Sequence, residues 1–205
     1  MLQLYRAPFS TNVERVALAL AHKGLEVESI VISYDDRSPV EAVSGQPLVP
    51  VLVDNGVPIA DSAAILRYVE HKWPDRPLFP RDPAARAEMD VFIEWFNEVW
   101  KGPPNALEAE LAKARPDPAR VVGLSTRLRS WLDVFEGLLA GRDHLLSDEF
   151  SAADCIAFPL LKFATIRDPA DDEAFHVILE RHQPLGDRHP RLAAWIARVD
   201  ARPRV

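Results

Sequence analysis

The sequence has little of what disulfide-bonded, nucleic-acid-binding and membrane proteins need. Cys155 is the only cysteine in 205 residues, so no disulfide can form within the chain. Lys and Arg number 24 against 31 Asp and Glu, and the resulting net charge of −7 argues against broad binding of nucleic acid or anionic lipid. The chain has no run of 18 apolar residues, and its beginning lacks the pattern of a signal peptide. We therefore expect no nucleic-acid partner, no membrane partner and a cytoplasmic location.

Several catalytic motifs are missing as well. There is no GxGxxG sequence, no Walker loop and no nucleophile elbow. The histidines stand at positions 22, 71, 144, 176, 182 and 189, and none is paired with Cys or acidic residues at metal-ligand spacing. We therefore expect no metal cofactor.

What is present suits an ordinary globular protein with two lobes. Apolar residues make up 48% of the chain and charged residues 27%, which is neither a disordered nor a fibrous composition. The length allows one large domain or two small ones.

The first 75 residues predict a β-α-β unit, a loop region and then a β-β-α unit. Residues 2–5 and 27–34 read as strands around a helix whose apolar residues recur every three or four positions up to Gly24. We expect these two strands to pair in parallel. Residues 50–54 and 57–60 read as a hairpin, because Asn55 and Gly56 favour a tight type I′ turn. Asp61 and Ser62 then introduce a further helix that ends near Trp73.

Residues 74–83 contain four prolines and no periodic pattern, which is typical of a stiff connector. The pattern after it is helical, with breaks at residues 102–104, at Gly141 and at residues 185–186. The expected helices cover residues 83–100, 118–139, 151–166, 171–181 and 190–201. The fold class is thus α/β plus all-α, with domains at 1–75 and 84–205 and a linker at 76–83.

The residues Ser10, Thr11 and Asn12 stand between the first strand and the first helix. They either cap that helix or help to bind an anion at its beginning, because the first backbone N–H groups of a helix lack partners and carry partial positive charge. A hydroxyl adds one more donor for a thiolate, carboxylate or phosphate.

Two further places carry the same ambiguity. Val49-Pro50 enters the third strand; a cis bond there exposes the Val49 backbone for pairing with an extended peptide, whereas a trans proline only ends the loop. Asp61 and Ser62 are either a plain N-cap or a second helix beginning that binds a carboxylate and an ammonium group.

Other polar and aromatic features favour a structural role. Ser151 and Asp154 form the pattern of a capping box, and Cys155 reads as a small buried residue. Phe92, Trp95 and Phe96 recur at helical spacing, which favours core packing; the alternative is that they cover an apolar pocket at a domain boundary.

Taken together, four segments resemble the glutathione transferase family, and the match covers nearly the whole chain. These segments are APFSTNVERVALALAHKGL, LVPVL, ADSAAILRYVEHKWP and FSAADCIAFPLL. The resemblance implies a thioredoxin-like N-terminal domain, an all-helical C-terminal domain and glutathione bound as cosubstrate. It also implies a homodimer, a small-molecule electrophile as second substrate, and a cytosolic, serine-type bacterial member of the family.

The resemblance also assigns roles to residues. Ser10 matches the thiol-activating position, which carries cysteine in thiol-exchange members, and Asn12 matches a position that helps to hold the thiol. The remaining matches are Val49 and Pro50 for the cysteinyl part of glutathione and Asp61 and Ser62 for its γ-glutamyl end. Apart from these matches, we expect the pocket for the electrophile to be lined by Phe9, Phe92, Trp95 and Phe96.

One position departs from the family pattern. The family usually has Lys, Arg or Gln just before Val-Pro to bind the glycyl carboxylate, whereas this chain has Leu48. Either Gln46 replaces that residue or glutathione binds weakly.

From the resemblance as a whole, the chain is expected to be a glutathione transferase that catalyses conjugation, isomerisation or peroxide reduction. The alternative is a non-catalytic binding or interaction module on the same fold.

Overall fold

The computed structural model describes all 205 residues and groups them into two units. The first unit comprises Met1–Arg81 together with Arg202–Val205, and the second comprises Asp82–Ala201. The predicted C-terminal domain ran from residue 84 to 205, whereas the last four residues belong to the first unit. There the Arg204 guanidinium lies 3.0 Å from the Glu14 carboxylate, and Arg6 donates to the Val205 carbonyl.

The first unit contains a four-stranded mixed sheet and three helices. Its strands are β1 (Leu2–Arg6), β2 (Glu28–Val31), β3 (Val51–Asp54) and β4 (Val57–Ala60), in the spatial order β2-β1-β3-β4. Its helices are α1 (Thr11–Lys23), α2 (Ser38–Ser44) and α3 (Ser62–Lys72). β1 pairs with β2 in parallel and with β3 antiparallel, and β3 pairs with β4 antiparallel. The predicted thioredoxin-like fold class is confirmed.

Local signals explain α1 and the hairpin. Ser10 caps α1, and Gly24 ends it in the left-handed conformation with φ of 69°. Between them the apolar stripe of α1 is buried. Asn55 and Gly56 both have positive φ, 49° and 85°, as a type I′ turn requires.

Two predictions in this unit were wrong in detail. β2 ends at Val31, not residue 34, because Ser33 accepts a hydrogen bond from the Asp35 N–H and turns the chain. The predicted loop region contains α2, a seven-residue helix that buries only Val40. So short a helix with one buried residue has no apolar stripe for a sequence to reveal.

The predicted connector is fixed to the first unit. The Leu78 N–H donates to the Glu70 carboxylate at 3.0 Å, and Leu78 and Phe79 are buried. Lys23, at the end of α1, is buried, pairs with Glu70 at 2.7 Å and donates to the carbonyl of Trp73.

The second unit is helical, as predicted. It contains α4 (Pro83–Trp95), α5 (Gly102–Leu111), α6 (Pro118–Leu138), α7 (Ala152–Leu161), α8 (Ala174–His182) and α9 (Pro190–Asp200). A π-helical turn, Phe96–Trp100, extends α4, and a 3₁₀ turn, Lys162–Ala164, extends α7. No helix of the chain combines the length and the apolar character needed to cross a bilayer.

The sequence interpretation missed α5 and placed the start of α8 three residues early. The Gly102-Pro103-Pro104 segment was predicted to be a break, but its prolines lie in the first turn of α5. Proline is tolerated there because first-turn N–H groups have no helical partner. Asp171, the expected start of α8, instead accepts hydrogen bonds before the helix from the Glu173 N–H and the His176 ring.

Candidate functional site

Strand pairing brings three of the predicted site segments to one edge of the sheet. Tyr5 near the end of β1 pairs with Val51 at the start of β3, and Val51 pairs with Ala60 at the end of β4. The segments just beyond these strand ends are the loop to Ser10, the Val49-Pro50 bond and the Asp61-Ser62 pair. They therefore lie side by side although they are far apart in sequence.

A cleft of about 280 Å³ lies at this edge. Its lining residues are Asn12, Gln46, Leu48, Val49, Pro50, Ala60, Asp61 and Ser62. The structure thus brings together all of the predicted glutathione-binding residues except Ser10, which lies two residues before Asn12 at the beginning of α1. The Asp61 carboxylate is the only charged side chain in the lining.

Ser10 is the N-cap of α1. Its Oγ accepts a hydrogen bond of 3.3 Å from the Val13 N–H. Because a hydroxyl has two lone pairs and one hydrogen, this cap leaves the Ser10 hydrogen to be donated elsewhere. The preceding residue, Phe9, has φ of 58° and a 40% exposed side chain. Capping and donation to an anion are therefore compatible at Ser10.

The Val49-Pro50 peptide bond is cis. Pro50 is buried beside the start of β3, while Val49 is half-buried and lines the cleft. Of the two isomers that the sequence left open, the structure contains the one associated with an exposed Val49 backbone.

Gln46 uses its side-chain amide within its own loop. Its Oε1 accepts from the Leu48 N–H at 2.7 Å, and its Nε2 donates to the Leu48 carbonyl at 2.9 Å and to the Ser44 hydroxyl at 3.0 Å. Both amide hydrogens are therefore engaged. Gln46 fixes the backbone of Leu48, directly before Val49.

Asp61 and Ser62 begin α3 at the far wall of the cleft. Asp61 has φ of 72°, and its carboxylate accepts from the Ala64 N–H at 2.9 Å. Ser62 is buried, and its Oγ lies 3.4 Å from Nη1 of Arg15, a buried residue of α1. A guanidinium only donates, so this contact does not use the Ser62 hydrogen. The cation of Arg15 adds to the positive end of the α3 dipole.

Arg37 is a nearby cation that the sequence interpretation missed. Its Nη1 donates to the Pro47 carbonyl at 3.4 Å, its Nε donates to the Tyr34 carbonyl at 3.2 Å, and its guanidinium lies 4.6 Å from the centre of the Tyr34 ring. Arg37 does not line the cleft. Arg37 stands alone before α2, and α2 has no periodic apolar pattern. The sequence therefore contained no signal that would place this arginine near the cleft.

The aromatic residues of the second unit separate into a groove and a core. Phe92 and Trp95 line an apolar groove of about 240 Å³ together with Val91, Val134, Leu138, Leu146 and Glu88. Phe96 is fully buried and stacks on Trp100, with ring centres 4.5 Å apart. Phe96 is therefore part of the core, while Phe92 and Trp95 border accessible apolar space.

The polar residues and the cysteine to which the sequence assigns a structural role lie in a helix cap and in the core. Ser151 and Asp154 form the predicted capping box at the beginning of α7, and Cys155 is buried behind it. No group of three or more His, Cys, Asp or Glu side chains is arranged to hold a metal ion.

Comparison with known proteins gives matches along the whole chain. Residues 4–77 match the family model described as "Glutathione S-transferase, N-terminal domain", and residues 84–198 match "Glutathione S-transferase, C-terminal domain". Glutathione S-transferase 3 of Zea mays is 30% identical over 98% of this chain and 90% of its own. FtsZ-localized protein A of Caulobacter vibrioides is 31% identical over 75% of this chain and 73% of its own.

The fold is matched by solved structures as well. A glutathione S-transferase from Rhodospirillum rubrum is 25% identical and superposes with a TM-score of 0.74, covering 99% of this chain and 89% of that chain.

Proposed function

Because this chain belongs to the glutathione S-transferase family, whose members use glutathione as a substrate, we propose that its first-unit cleft binds glutathione and activates the thiol. The thiolate then attacks an electrophilic, largely apolar small molecule. The observation that carries the proposal is the meeting, at one sheet edge, of two helix beginnings and the Val49 backbone.

Each end of this cleft suits one part of the peptide. The Ser62 hydroxyl and the first N–H groups of α3 bind the γ-glutamyl carboxylate, and the Asp61 carboxylate accepts from the ammonium group. The Val49 backbone pairs with the cysteinyl part. The thiol then lies over the beginning of α1, at Ser10 and Asn12.

Ser10 activates the thiol by donating a hydrogen bond to the thiolate. Lowering a thiol pKa from about 8.5 to about 6.5 requires roughly 2.7 kcal/mol. One hydrogen bond to a charged group contributes about 1.5–3 kcal/mol, and the helix beginning adds to it. Ser10 with α1 is therefore sufficient, and no metal is needed.

The proposals for the second substrate and for the oligomeric state rest on what membership of the family implies. Phe92 and Trp95 supply the accessible apolar surface that a largely apolar electrophile requires. The proposed working form is a cytoplasmic homodimer.

Isothermal titration calorimetry with glutathione tests the binding step. We expect saturable heat and a raised melting temperature in the presence of ligand. A dissociation constant of roughly 1 mM is the weak limit of specific recognition. If roughly millimolar glutathione gives neither binding heat nor a raised melting temperature, the enzyme proposal is wrong.

The pH dependence of conjugation tests the catalytic residue. Ser10→Ala should shift the rising limb of the pH–rate profile upward by about one to two units, so that the rate falls about 3- to 25-fold near pH 7 and recovers in alkali. Asn12→Ala is the matched comparison, and we expect a smaller shift. The reverse order of the two shifts would assign the activating hydrogen bond to Asn12.

A non-catalytic interaction module is the second candidate. Leu48 is 68% exposed at the position where the family usually has a residue for the glycyl carboxylate. One relative, 31% identical, bears a name that describes localisation with FtsZ and not a transferase. The same calorimetric titration separates the two functions, since an interaction module needs no glutathione.

A further inference from the structure

We propose that the cleft recognises the γ-glutamyl-cysteinyl part of its thiol and leaves the glycyl carboxylate unpaired. It would then accept γ-glutamyl thiols with an uncharged third residue, such as esters or amides of glutathione, as readily as glutathione itself. This inference rests on the proposed function and concerns the class of thiol that the cleft binds.

The charge of the cleft is the first argument. Its one charged lining side chain, Asp61, is an acid. A carboxylate that loses hydration on binding needs a cation or several donors to compensate. The glycyl carboxylate finds no cation among the lining residues, and the anionic Asp61 does not attract it.

The side chains around the glycyl end give the second argument. If Asp61 and Ser62 bind the γ-glutamyl end and Val49 pairs with the cysteinyl part, the third residue extends toward Gln46 and Leu48. The Gln46 amide hydrogens are already donated to the Leu48 carbonyl and the Ser44 hydroxyl. The Leu48 side chain is 68% exposed and offers an apolar contact in place of a donor.

Arg37 is the cation bonded to this loop, and its position gives the third argument. Two backbone carbonyls, those of Tyr34 and Pro47, accept hydrogen bonds from its guanidinium, and the Tyr34 ring stacks against it. These contacts hold Arg37 on the loop, away from the lining of the cleft. These hydrogen bonds use only Nε and one Nη1 hydrogen, so what separates Arg37 from the carboxylate is its position outside the lining of the cleft.

Calorimetry of the full chain with glutathione and with its glycyl ethyl ester tests the proposal. We expect the two dissociation constants to agree within about threefold and their ratio to change little with salt, because no ion pair distinguishes the ligands. An ester that binds more than about tenfold more weakly than glutathione would overturn the inference.

Three variants sharpen the comparison. Leu48→Lys places a cation where the apolar side chain lies, and it should raise the affinity for glutathione relative to the ester by about 3- to 10-fold. Leu48→Met is the uncharged control and should leave the ratio near that of the wild type. Arg37→Gln should not alter the ratio; a loss confined to glutathione would assign the carboxylate to Arg37 and contradict the proposal.

The outcomes also separate this inference from the function on which it rests. If neither thiol binds to the wild type, the proposed glutathione transferase function fails, and the inference fails with it. If glutathione binds and the ester does not, the function stands and this inference alone is overturned.

Discussion

The hydroxyl groups of Ser10 and Ser62 share one arrangement. Each accepts a hydrogen bond from the protein, Ser10 from the Val13 N–H at 3.3 Å and Ser62 from the Arg15 guanidinium at 3.4 Å. Because both partners are donors, neither contact uses the hydrogen of the serine, which can be donated to a ligand. At the residue scale, the proposed site consists of two oriented donors for two anionic groups of one peptide.

Ser62→Ala tests the second of these donors. Loss of one charge-assisted hydrogen bond should weaken glutathione binding by on the order of 10- to 100-fold. An analogue that lacks the γ-glutamyl α-carboxylate should bind to the variant and the wild type equally well. Calorimetry with both ligands checks this; equal losses for both would mean that Ser62 acts on the fold and not on the carboxylate.

Gln46→Ala tests a positioning residue. Gln46 donates to the Leu48 carbonyl and accepts from the Leu48 N–H, so its removal loosens the backbone that precedes Val49. We expect glutathione and its glycyl ester to lose affinity by the same factor, about 3- to 10-fold. A loss for glutathione alone would show that the amide contacts the carboxylate directly.

At the element scale, the beginning of α7 depends on one buried carboxylate. Asp154 accepts from the N–H groups of Ser151 and Leu145 at 2.8 and 3.0 Å and from the Trp195 indole at 2.7 Å. These contacts join α7 to α9 and to the segment before α7. The capping box is therefore a tertiary junction as well as a local cap.

Asp154→Ala should lower the free energy of unfolding by about 3–5 kcal/mol, because it leaves buried donors without acceptors. Asp154→Asn, which keeps an acceptor, should lose less and remains measurable if the alanine variant does not fold. Urea denaturation provides the values. Asp148→Ala, at an exposed position, is the control and should change stability by less than about 0.5 kcal/mol.

Elements with a long apolar stripe and a clear cap were predictable from the sequence. α1 runs from the Ser10 cap to the Gly24 terminator, and the hairpin follows from Asn55 and Gly56. α2 was missed because it buries one residue, and α5 was missed because prolines that begin a helix look like prolines that break one. Local rules thus identify elements that carry their own pattern.

The grouping of the candidate site segments was predictable where they follow strand ends. Helix beginnings and the Val-Pro step are visible in the sequence, and antiparallel pairing then brings them together. The engagement of the Gln46 amide and the position of Arg37 were not predictable. Both depend on the path of the loop around α2, for which the sequence contains no periodic signal.

At the scale of the whole molecule, each unit contains a buried carboxylate with a lowered pKa. Hydrogen bonds from Lys72 and Tyr68 lower the pKa of Asp54 in the first unit, the Tyr68 bond being 2.6 Å long. The Asp117 N–H and Lys113 lower the pKa of Glu110 in the second. A lowered folded-state pKa contributes stability above the unfolded-state value, and this contribution disappears as the pH falls through the folded-state value.

The chain should therefore lose stability as the pH falls below about 4, the ordinary range of these carboxyl groups. Asp54→Asn should lower stability at neutral pH, and its difference from the wild type should shrink in acid. Urea denaturation at about pH 6 and about pH 3 checks this. A constant difference between the two proteins would show that Asp54 contributes nothing through its charge.

The proposed homodimer is a second prediction that concerns the whole molecule. One chain has a mass of 23.0 kDa, and analytical ultracentrifugation should give twice that value at micromolar concentration. A species at the mass of one chain across the concentration range would contradict the dimer without affecting the proposed chemistry of the cleft.

The central claim is that the beginning of α1 ionises a thiol bound in the first-unit cleft, and titration of that thiol tests it most directly. The ultraviolet absorbance of the thiolate, followed with pH in the glutathione complex, reports the pKa of the bound thiol. The account predicts a value of about 6.5, roughly two units below that of a free thiol, and a return toward about 8.5 in Ser10→Ala. A bound thiol in the wild type that titrates like free glutathione would contradict it.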